Sequence, residues 1–187
     1  MSLRKMTPQN TALAVIDIQE KLFKIMNERI TAQMIRNTGM LASVFKHFDA
    51  PILLTEQYPR GLGHTAAGLA PYLEGITPIE KDTFSACGCP DFIEALGSSA
   101  CDNVILVGME THICVLQTAL DLVELGYSVY VGTDAIQSSS KLRWQGGMDA
   151  MKSAGVTLVP TETLLFQMFV RAGTDDFRAL TKIMKQP

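Results

Sequence analysis

The stretch DNVILVGMETHICVLQTALDLVELG, residues 102–126, changes its hydrophobic pattern near the middle. Residues 102–109 form a short apolar run rich in Val and Ile, which is typical of a strand buried on both faces of a sheet. Residues 111–126 continue with a helical pattern that ends at Gly126, a favourable residue just after a helix. A buried strand followed at once by a helix predicts a parallel α/β sheet.

Similar segments recur along the chain. Helical patterns also cover residues 28–48 and 139–155, and serines before the second are suited to capping its start. Strands are also predicted at residues 11–19, 51–58, 76–86, 127–135 and 155–160. Because crossovers between parallel strands are right-handed, this order predicts a three-layer, Rossmann-like α/β fold. We expect one domain with a mainly parallel sheet of about six strands and helices on both faces.

Composition limits the partners that the protein can have. Lys and Arg total 16 and Asp and Glu total 19, a formal net charge of -3. The chain therefore lacks the positive footprint expected for binding nucleic acid or an anionic membrane. No apolar run reaches the roughly 18 residues of a membrane span, and the first residues lack an apolar secretory signal. We expect a soluble, cytoplasmic protein without nucleic-acid or membrane partners, with a mitochondrion or another organelle left open.

Cofactor and metal motifs are weak in this sequence. Its cysteines are Cys87, Cys89, Cys101 and Cys114. They show neither a Cys-x-x-Cys pair nor a histidine spaced for zinc, and without a secretory signal their even number does not imply disulfides. GLGHTA, residues 61–66, matches a loose dinucleotide fingerprint, but Pro59 precedes it and Gly68 and Pro71 interrupt the helix that should follow. We expect neither a metal nor a cofactor.

Three reactive residues lie where the predicted strands end, and ligands bind at that edge of a parallel sheet. Asp17 lies in the apolar segment VIDIQ, Lys81 ends a strand, and Cys114 lies in the first turn of a helix. A helix start favours a thiolate, and a base or a cation nearby would ionise a nucleophilic thiol. Structural roles stay open: a packed thiol, a satisfied buried acid, and a surface lysine.

The loop of residues 58–75 is the longest irregular segment, and long loops in compact domains are often functional. It contains His64, a candidate substrate contact. His112 lies only two residues from Cys114, so the two side chains point to different sides of the helix. We expect a local structural role for His112. Other polar residues near predicted strand ends are Gln19, Glu56, Gln57, Asp82, Glu110 and Asp134.

Three segments together resemble the signature blocks of the isochorismatase-like cysteine hydrolases. They are VIDIQEKL (15–22), EKDTFSA (80–86) and VGMETHICVLQTAL (107–120). The resemblance extends from about residue 8 to 170 with the blocks in the family's order. TEQYPRGLG (55–63) is further similar to the isochorismatase-domain-containing subgroup. This resemblance implies a single isochorismatase-like hydrolase domain over residues 1–187.

The resemblance also implies a catalytic triad of Asp17, Lys81 and Cys114. In the family the aspartate takes the thiol proton, the lysine holds the geometry and favours the thiolate, and the cysteine attacks a carbonyl or related carbon. A cis peptide bond is implied between Met109 and Glu110. Backbone N–H groups of Glu110 and Cys114 would then form an oxyanion hole.

Departures from the family pattern narrow the expected reaction. Residues 55–64 cannot supply the metal site of nicotinamidases, and isochorismatase proper lacks the cysteine. The expected function is therefore hydrolysis of a small amide or related C–N bond through an acyl-enzyme on Cys114, without a metal. Many members have Phe three residues after the glutamine of the first block, where this chain has Leu22. The expected substrate contacts are Gln19, Leu22, Tyr58 and His64.

Two other functions stay open. One is a binding or scaffold protein with weak turnover, and the other is a thiol redox sensor that pairs Cys114 with Cys87. The resemblance implies a homo-oligomer, a dimer or larger. Apolar residues in LLFQMFVRAG, residues 164–173, suit either such an interface or a core helix.

Overall fold

A computed structural model describes residues 6–169 and 171–185 of the chain. Its central sheet has six strands in the order β3-β2-β1-β4-β5-β6, and every neighbouring pair is parallel. The strands are β1 Thr11–Ile16, β2 Ile52–Gln57, β3 Ile79–Lys81, β4 Asn103–Met109, β5 Ser128–Gln137 and β6 Thr157–Val159. This sheet confirms the predicted fold class and number of strands.

Helices connect the strands in the described part of the chain. The α-helices are α1 Glu28–His47, α2 Pro59–Leu62, α3 Ala70–Leu73, α4 Pro90–Ser98, α5 Leu116–Glu124, α6 Lys141–Ser153, α7 Thr161–Gln167 and α8 Asp175–Met184. A π-helical turn, Thr111–Val115, leads into α5, and 3-10 turns cover Pro8–Asn10, Glu20–Ile25, Ala67–Leu69 and Ala86–Gly88. Within residues 6–169 and 171–185, none of these helices is long and apolar enough to cross a membrane.

Two apolar clusters cover the two faces of the sheet. Alternate side chains of β1 enter different clusters, because successive residues of a strand point to opposite faces. Leu13 and Val15 pack with residues of α1, α7 and α8, whereas Ala14 and Ile16 pack with residues of α4, α5 and α6. Every residue of β1 is buried, which explains why its sequence is almost wholly apolar.

The direction of winding reverses between β1 and β4, so this pair is the topological switch point of the sheet. Ile16 pairs with Gly108 at the C-terminal end of the two strands. Gly108 has a φ of 122°, and a Cβ there would lie 1.9 Å from the carbonyl oxygen of Ile16. Only glycine allows the two backbones to approach so closely beside the strand ends.

The loop at residues 58–75 is more regular than its sequence predicted. It contains α2, a 3-10 turn and α3. Pro59 and Pro71 lie in the first turns of the two helices. Proline is favourable there because its fixed φ suits a helix start and its missing N–H would be unpaired anyway. The prolines that indicated an irregular loop therefore begin short helices.

The segment at residues 164–173 was predicted to be either a subunit interface or a core helix, and the structure shows a core helix. Leu164 and Leu165 of α7 are fully buried, and Met168 is 3% exposed. Phe166 is the exception, with 42% of its surface exposed. Val170 lies outside the described residues. The apolar character of this segment is explained mainly by packing against α1 and the sheet.

Candidate active site

Asp17, Lys81 and Cys114 meet at the C-terminal edge of the sheet, beside the switch point. Asp17 directly follows β1, Lys81 is the last residue of β3, and Cys114 lies in the π-helical turn after β4. Their exposed fractions are 1%, 4% and 7%. Asp17 has a φ of 50°, a left-handed conformation that is uncommon for a non-glycine residue and often occurs at functional sites.

A buried ion pair joins two of these residues. Lys81 Nζ lies 2.7 Å from Asp17 Oδ2. The other carboxylate oxygen, Oδ1, accepts a 2.7 Å hydrogen bond from the Thr55 hydroxyl. Burying a carboxylate without a partner is expensive, so the lysine and the threonine together offset the cost of burying Asp17.

The Cys114 thiol lies against this ion pair, and its pKa is raised to about 12. Burial is the largest cause, followed by the negative charge of Asp17 and a hydrogen bond from the thiol to that carboxylate. The charge of Lys81 and the backbone N–H of Glu110, which bonds to the sulfur, act in the opposite direction. The expected low-pKa thiolate is therefore wrong for the free site: burial and Asp17 outweigh the lysine and the helix start. A thiol hydrogen-bonded to a carboxylate is ready to give up its proton during attack.

The turn after β4 presents its backbone to the sulfur. The Met109–Glu110 peptide bond is cis, at the position that the family resemblance implies. The Glu110 carbonyl accepts hydrogen bonds from the N–H groups of Ile113 and Val115. The Glu110 carboxylate accepts a 2.8 Å bond from the N–H of Ser139. Both ends of this residue are therefore fixed, which holds its N–H group beside Cys114.

His112 has the local role expected from the sequence. Its Nδ1 lies 3.0 Å from the hydroxyl of Ser138, just before α6. Helix α6 packs closely on this turn, because a Cβ on Gly147 would lie 2.9 Å from His112 Cα. A glycine at position 147 is thus required for close packing beside the candidate site. Ser140 caps α6, and its hydroxyl accepts a bond from the N–H of Arg143.

Gln19 differs from its predicted role as a substrate contact. Its side chain is fully buried. The amide Nε2 donates to the carbonyls of Gln57 and Gly63, and Oε1 accepts from the N–H of Gln57. Because these backbone groups occupy the amide, Gln19 ties the 58–66 segment to the end of β2 and is not free to bind a substrate.

His64 also has a protein partner, on the other face of β2. Its Nδ1 lies 2.9 Å from Glu56 Oε2, and the N–H and hydroxyl of Thr65 donate to Glu56 Oε1. Because side chains alternate along a strand, Glu56 points away from the face that carries Thr55. The structure therefore does not bring His64 to the triad through Glu56.

The other two predicted substrate contacts, Leu22 and Tyr58, lie beside the site. Leu22 is half-buried and packs on the cluster next to α1. Tyr58 is 59% exposed, and its N–H donates a 2.9 Å bond to the carbonyl of Lys81. Phe84, which follows β3, is 56% exposed. Phe84 lies three residues after Lys81 in the chain, and Tyr58 is bonded to the Lys81 carbonyl, so two exposed aromatic residues flank this lysine.

Sequence reasoning missed two residues that contact the ion pair. Thr55 binds Asp17, and Gln57 Oε1 accepts a 2.7 Å hydrogen bond from Lys81 Nζ. Both come from β2, which lies between β1 and β3 in the sheet. Gln57 was among the polar residues near strand ends, but nothing in the sequence indicated which atom it binds.

A cavity of about 560 Å³ lies at the same edge of the sheet, between the starts of α1 and α6 and the end of β5. Its lining does not include the triad. It does include Ser138 and Ser139, which bind His112 and Glu110. The cavity therefore shares a wall with the turn that carries Cys114. The lining residues are Asn27, Ile30, Gln33, Thr133, Asp134, Ile136, Gln137, Ser138, Ser139, Ser140, Lys141 and Trp144.

The fold is that of the isochorismatase-like hydrolases. The chain belongs to the isochorismatase domain family, which it matches over residues 11–163. That match contains all three segments on which the resemblance rested, and it confirms the family assignment. The match identifies the chain as an isochorismatase-like hydrolase, but it does not identify a substrate.

Several known proteins are similar over nearly their whole length. Isochorismatase domain-containing protein 2A of Mus musculus is 35% identical over 187 residues, covering 100% of this chain and 88% of the relative. Isochorismatase family protein 1B of Dictyostelium discoideum is 32% identical, with coverage of 99% and 91%. The structure of MAR1 ribonuclease from Caenorhabditis elegans superposes with a TM-score of 0.89 at 34% identity, covering 97% of this chain and 93% of that one.

Proposed function

We propose that the protein hydrolyses a small amide, or a related C–N bond, through Cys114. The observation that supports this most directly is the buried contact of a thiol with an Asp–Lys ion pair. The Lys81 Nζ to Asp17 Oδ2 distance is 2.7 Å, and the thiol is hydrogen-bonded to the same carboxylate. A nucleophile next to a base, with the base held by a third group, is the arrangement that covalent catalysis requires.

In the proposed reaction, the sulfur of Cys114 bonds to the carbonyl carbon while its proton passes to Asp17. The negative oxygen that develops is stabilised by the N–H groups of Glu110 and Cys114. Collapse of this intermediate breaks the C–N bond, and Asp17 returns the proton to the leaving nitrogen. Water then attacks the thioester, gives a proton to Asp17 and releases the acid, after which the thiol is restored. The ammonium of Lys81 stays in contact with Asp17 and stabilises the carboxylate each time it has given up its proton.

The surroundings favour a small substrate. Only 7% of the surface of Cys114 is exposed, so the acyl group must be narrow enough to reach a nearly buried sulfur. We propose that Leu22 and Tyr58 contact the substrate, and that Phe84 does so beside them. Gln19 is excluded from this role by its own hydrogen bonds.

The redox-sensor alternative is less well supported. Thiolates are the species that oxidants and disulfides react with. Burial raises the pKa of Cys87 to about 11, and that of Cys114 is raised to about 12. Neither sulfur is appreciably ionised near neutral pH in the free protein. The weak-turnover scaffold remains the outcome if no hydrolysis is found.

Ribonuclease activity is a second candidate because the similar Caenorhabditis elegans protein, at 34% identity, is named a ribonuclease. A nuclease needs cationic groups to hold the phosphate backbone, and the chain has a formal net charge of -3. Small amides are therefore the first substrate class to test, with a single-stranded RNA oligonucleotide as the second.

The test compares the wild-type protein with Cys114→Ser and Cys101→Ser. Cys101 is the matched control, because it is also buried, with 6% exposed, and lies at the opposite end of β4. Each protein is incubated with a panel of small primary amides, and ammonia release and the intact mass are followed. We expect ammonia and a transient acyl adduct for wild type and Cys101→Ser, and neither for Cys114→Ser. RNA cleavage that survives Cys114→Ser, or no amide turnover at all, would contradict the proposal.

The homo-oligomer stays a prediction. Leu142 at the start of α6 is 83% exposed, and Ile30 at the start of α1 is 47% exposed. Both are large apolar side chains of the kind that subunit contacts bury. Light scattering coupled to size-exclusion chromatography measures the mass directly: a value equal to the 20.4 kDa chain would reject the prediction.

A further inference from the structure

The Lys81 ammonium has more oxygen neighbours than protons. It donates hydrogen bonds to Gln57 Oε1 at 2.7 Å, to the carbonyl of Thr83 at 3.0 Å and to the carbonyl of Phe84 at 3.1 Å. Asp17 Oδ2 is a fourth neighbour at 2.7 Å. A lysine ammonium carries three protons. Three neutral oxygens are therefore sufficient to use all of them.

The carboxylate oxygen next to the lysine has no hydrogen bond from it. Asp17 Oδ2 is buried and accepts no bond of acceptable geometry, although it is in contact with the positive charge. The other oxygen, Oδ1, is occupied by Thr55. Oδ2 is thus the carboxylate oxygen with an unused lone pair, on a residue that is hydrogen-bonded to the Cys114 thiol.

We propose that Gln57 is a positioning residue for the candidate reaction. With the carbonyls of Thr83 and Phe84 it forms a lysine cage that takes all three ammonium protons. Lys81 then supplies Asp17 with charge but not with a proton, and Oδ2 stays free to accept the proton of Cys114. This inference rests on the proposed function of the triad and adds the atom that acts as its base.

The cage is held by contacts on both sides. Gln57 Nε2 donates to the carbonyl of Asp82, which keeps Oε1 directed at the ammonium. The segment that carries the two carbonyls is bonded to α5, where the Ser85 hydroxyl contacts Asp121 and the N–H of Ala86 donates to Thr118. The three acceptors are therefore fixed by the fold and do not depend on the substrate.

Two nearly isosteric substitutions separate the cage from simple packing. In Gln57→Met one ammonium proton loses its acceptor and turns to Asp17 Oδ2, the remaining oxygen in contact with it. The Asp17 carboxylate is then a weaker acceptor for the Cys114 thiol, whose bond to that carboxylate favours the neutral form. In Gln57→Glu the acceptor stays, but an added negative charge opposes ionisation of the thiol. Neither change affects the hydrogen bonds between the backbone of Gln57 and the side-chain amide of Gln19.

The readout is the rate at which iodoacetamide alkylates Cys114 at pH 8, measured by peptide mapping with Cys101 as the internal standard. Below the thiol pKa, a shift of one unit changes the thiolate fraction about tenfold. We expect Gln57→Met to react about threefold to tenfold faster than wild type, and Gln57→Glu to react at least about threefold slower. Thermal melting of each variant establishes that it is folded.

Opposite changes in the two variants support the lysine cage. If Gln57→Met reacts no faster than wild type, or if both variants react faster, Gln57 acts only by packing and the inference is overturned. The rate of alkylation does not depend on any substrate. Opposite shifts without amide hydrolysis by wild type would therefore keep the cage and reject only the proposed reaction.

Discussion

Replacing Asp17 with asparagine should make Cys114 more reactive while it abolishes hydrolysis. At pH 8, a thiol with a pKa of about 12 is ionised in roughly one molecule in 10,000. Asp17→Asn removes the negative charge and the charged hydrogen-bond acceptor, the two causes of the raised pKa that follow burial. Lys81 then has no carboxylate beside it, so a thiolate becomes its natural counter-ion.

A charged neighbour at this range shifts a pKa by one to three units, so we expect alkylation of Cys114 at pH 8 to rise on the order of 100-fold. The assay follows each cysteine in the same digest, and Cys101 should keep its wild-type rate. Amide hydrolysis should fall below detection, because the variant has a better nucleophile but no base to return the proton. A folded Asp17→Asn protein with unchanged or slower alkylation would refute the electrostatic account of the site.

Three further substitutions test the support of the site. Gly108→Ala should lower the free energy of unfolding by about 3 kcal/mol, because residue 108 has a positive φ and the new Cβ would lie 1.9 Å from the Ile16 carbonyl oxygen. The control is Gly97→Ala in α4, where the new Cβ meets no atom within 4 Å and should not destabilise the protein. Equal urea midpoints for the two variants would contradict this prediction. Thr55→Val should cost about 1.5–3 kcal/mol and slow turnover, since Asp17 Oδ1 loses its donor, and Thr55→Ser should restore both. Burial raises the pKa of Glu56, but hydrogen bonds from His64 and Thr65 outweigh burial and lower this pKa below 4.5. The ionised Glu56 therefore stabilises the fold above that pH, and this stabilisation is lost as the pH falls through the lowered pKa. Glu56→Gln should therefore melt at a lower temperature than wild type at pH 7, and the difference should shrink as the pH falls through the lowered pKa; a difference that stays constant with pH would be inconsistent with this account.

The sequence predicted the sheet and the residues at its edge because both depend on local pattern and topology. Asp17, Lys81 and Cys114 end or follow strands, and parallel strands bring their C-terminal ends together. The family resemblance added the expected cis bond at Met109–Glu110. These inferences required only the order of residues along the chain.

The side-chain partners could not be predicted in this way. The thiol pKa depends on how deeply Cys114 is buried and how close Asp17 lies, and the balance reversed the expectation based on the helix start. Gln19 resembled a pocket residue, but its amide is occupied by the backbone of Gln57 and Gly63. Which partner wins in such cases is decided by tertiary packing.

Some helices were missed for local reasons. Helix α4 is short, begins with Pro90 and buries mainly Phe92 and Leu96, so its apolar face is too brief to stand out.

Asp134 was noted near a strand end. It lies in an irregular part of β5, where its carboxylate binds the N–H and hydroxyl of Thr161 at the start of α7.

The pairing of Ile16 with Gly108 joins segments that are far apart in sequence, and Lys81 reaches Asp17 from beyond β2. No local piece of the chain contains a complete site. Long loops must close before such contacts form, which makes them late events when a protein folds. During refolding, the slow alkylation of Cys114 should therefore appear only after the central strands have assembled. The alkylation rate of the Cys114 thiol therefore reports whether the sheet is complete, because the thiol is readily alkylated in a partly folded chain.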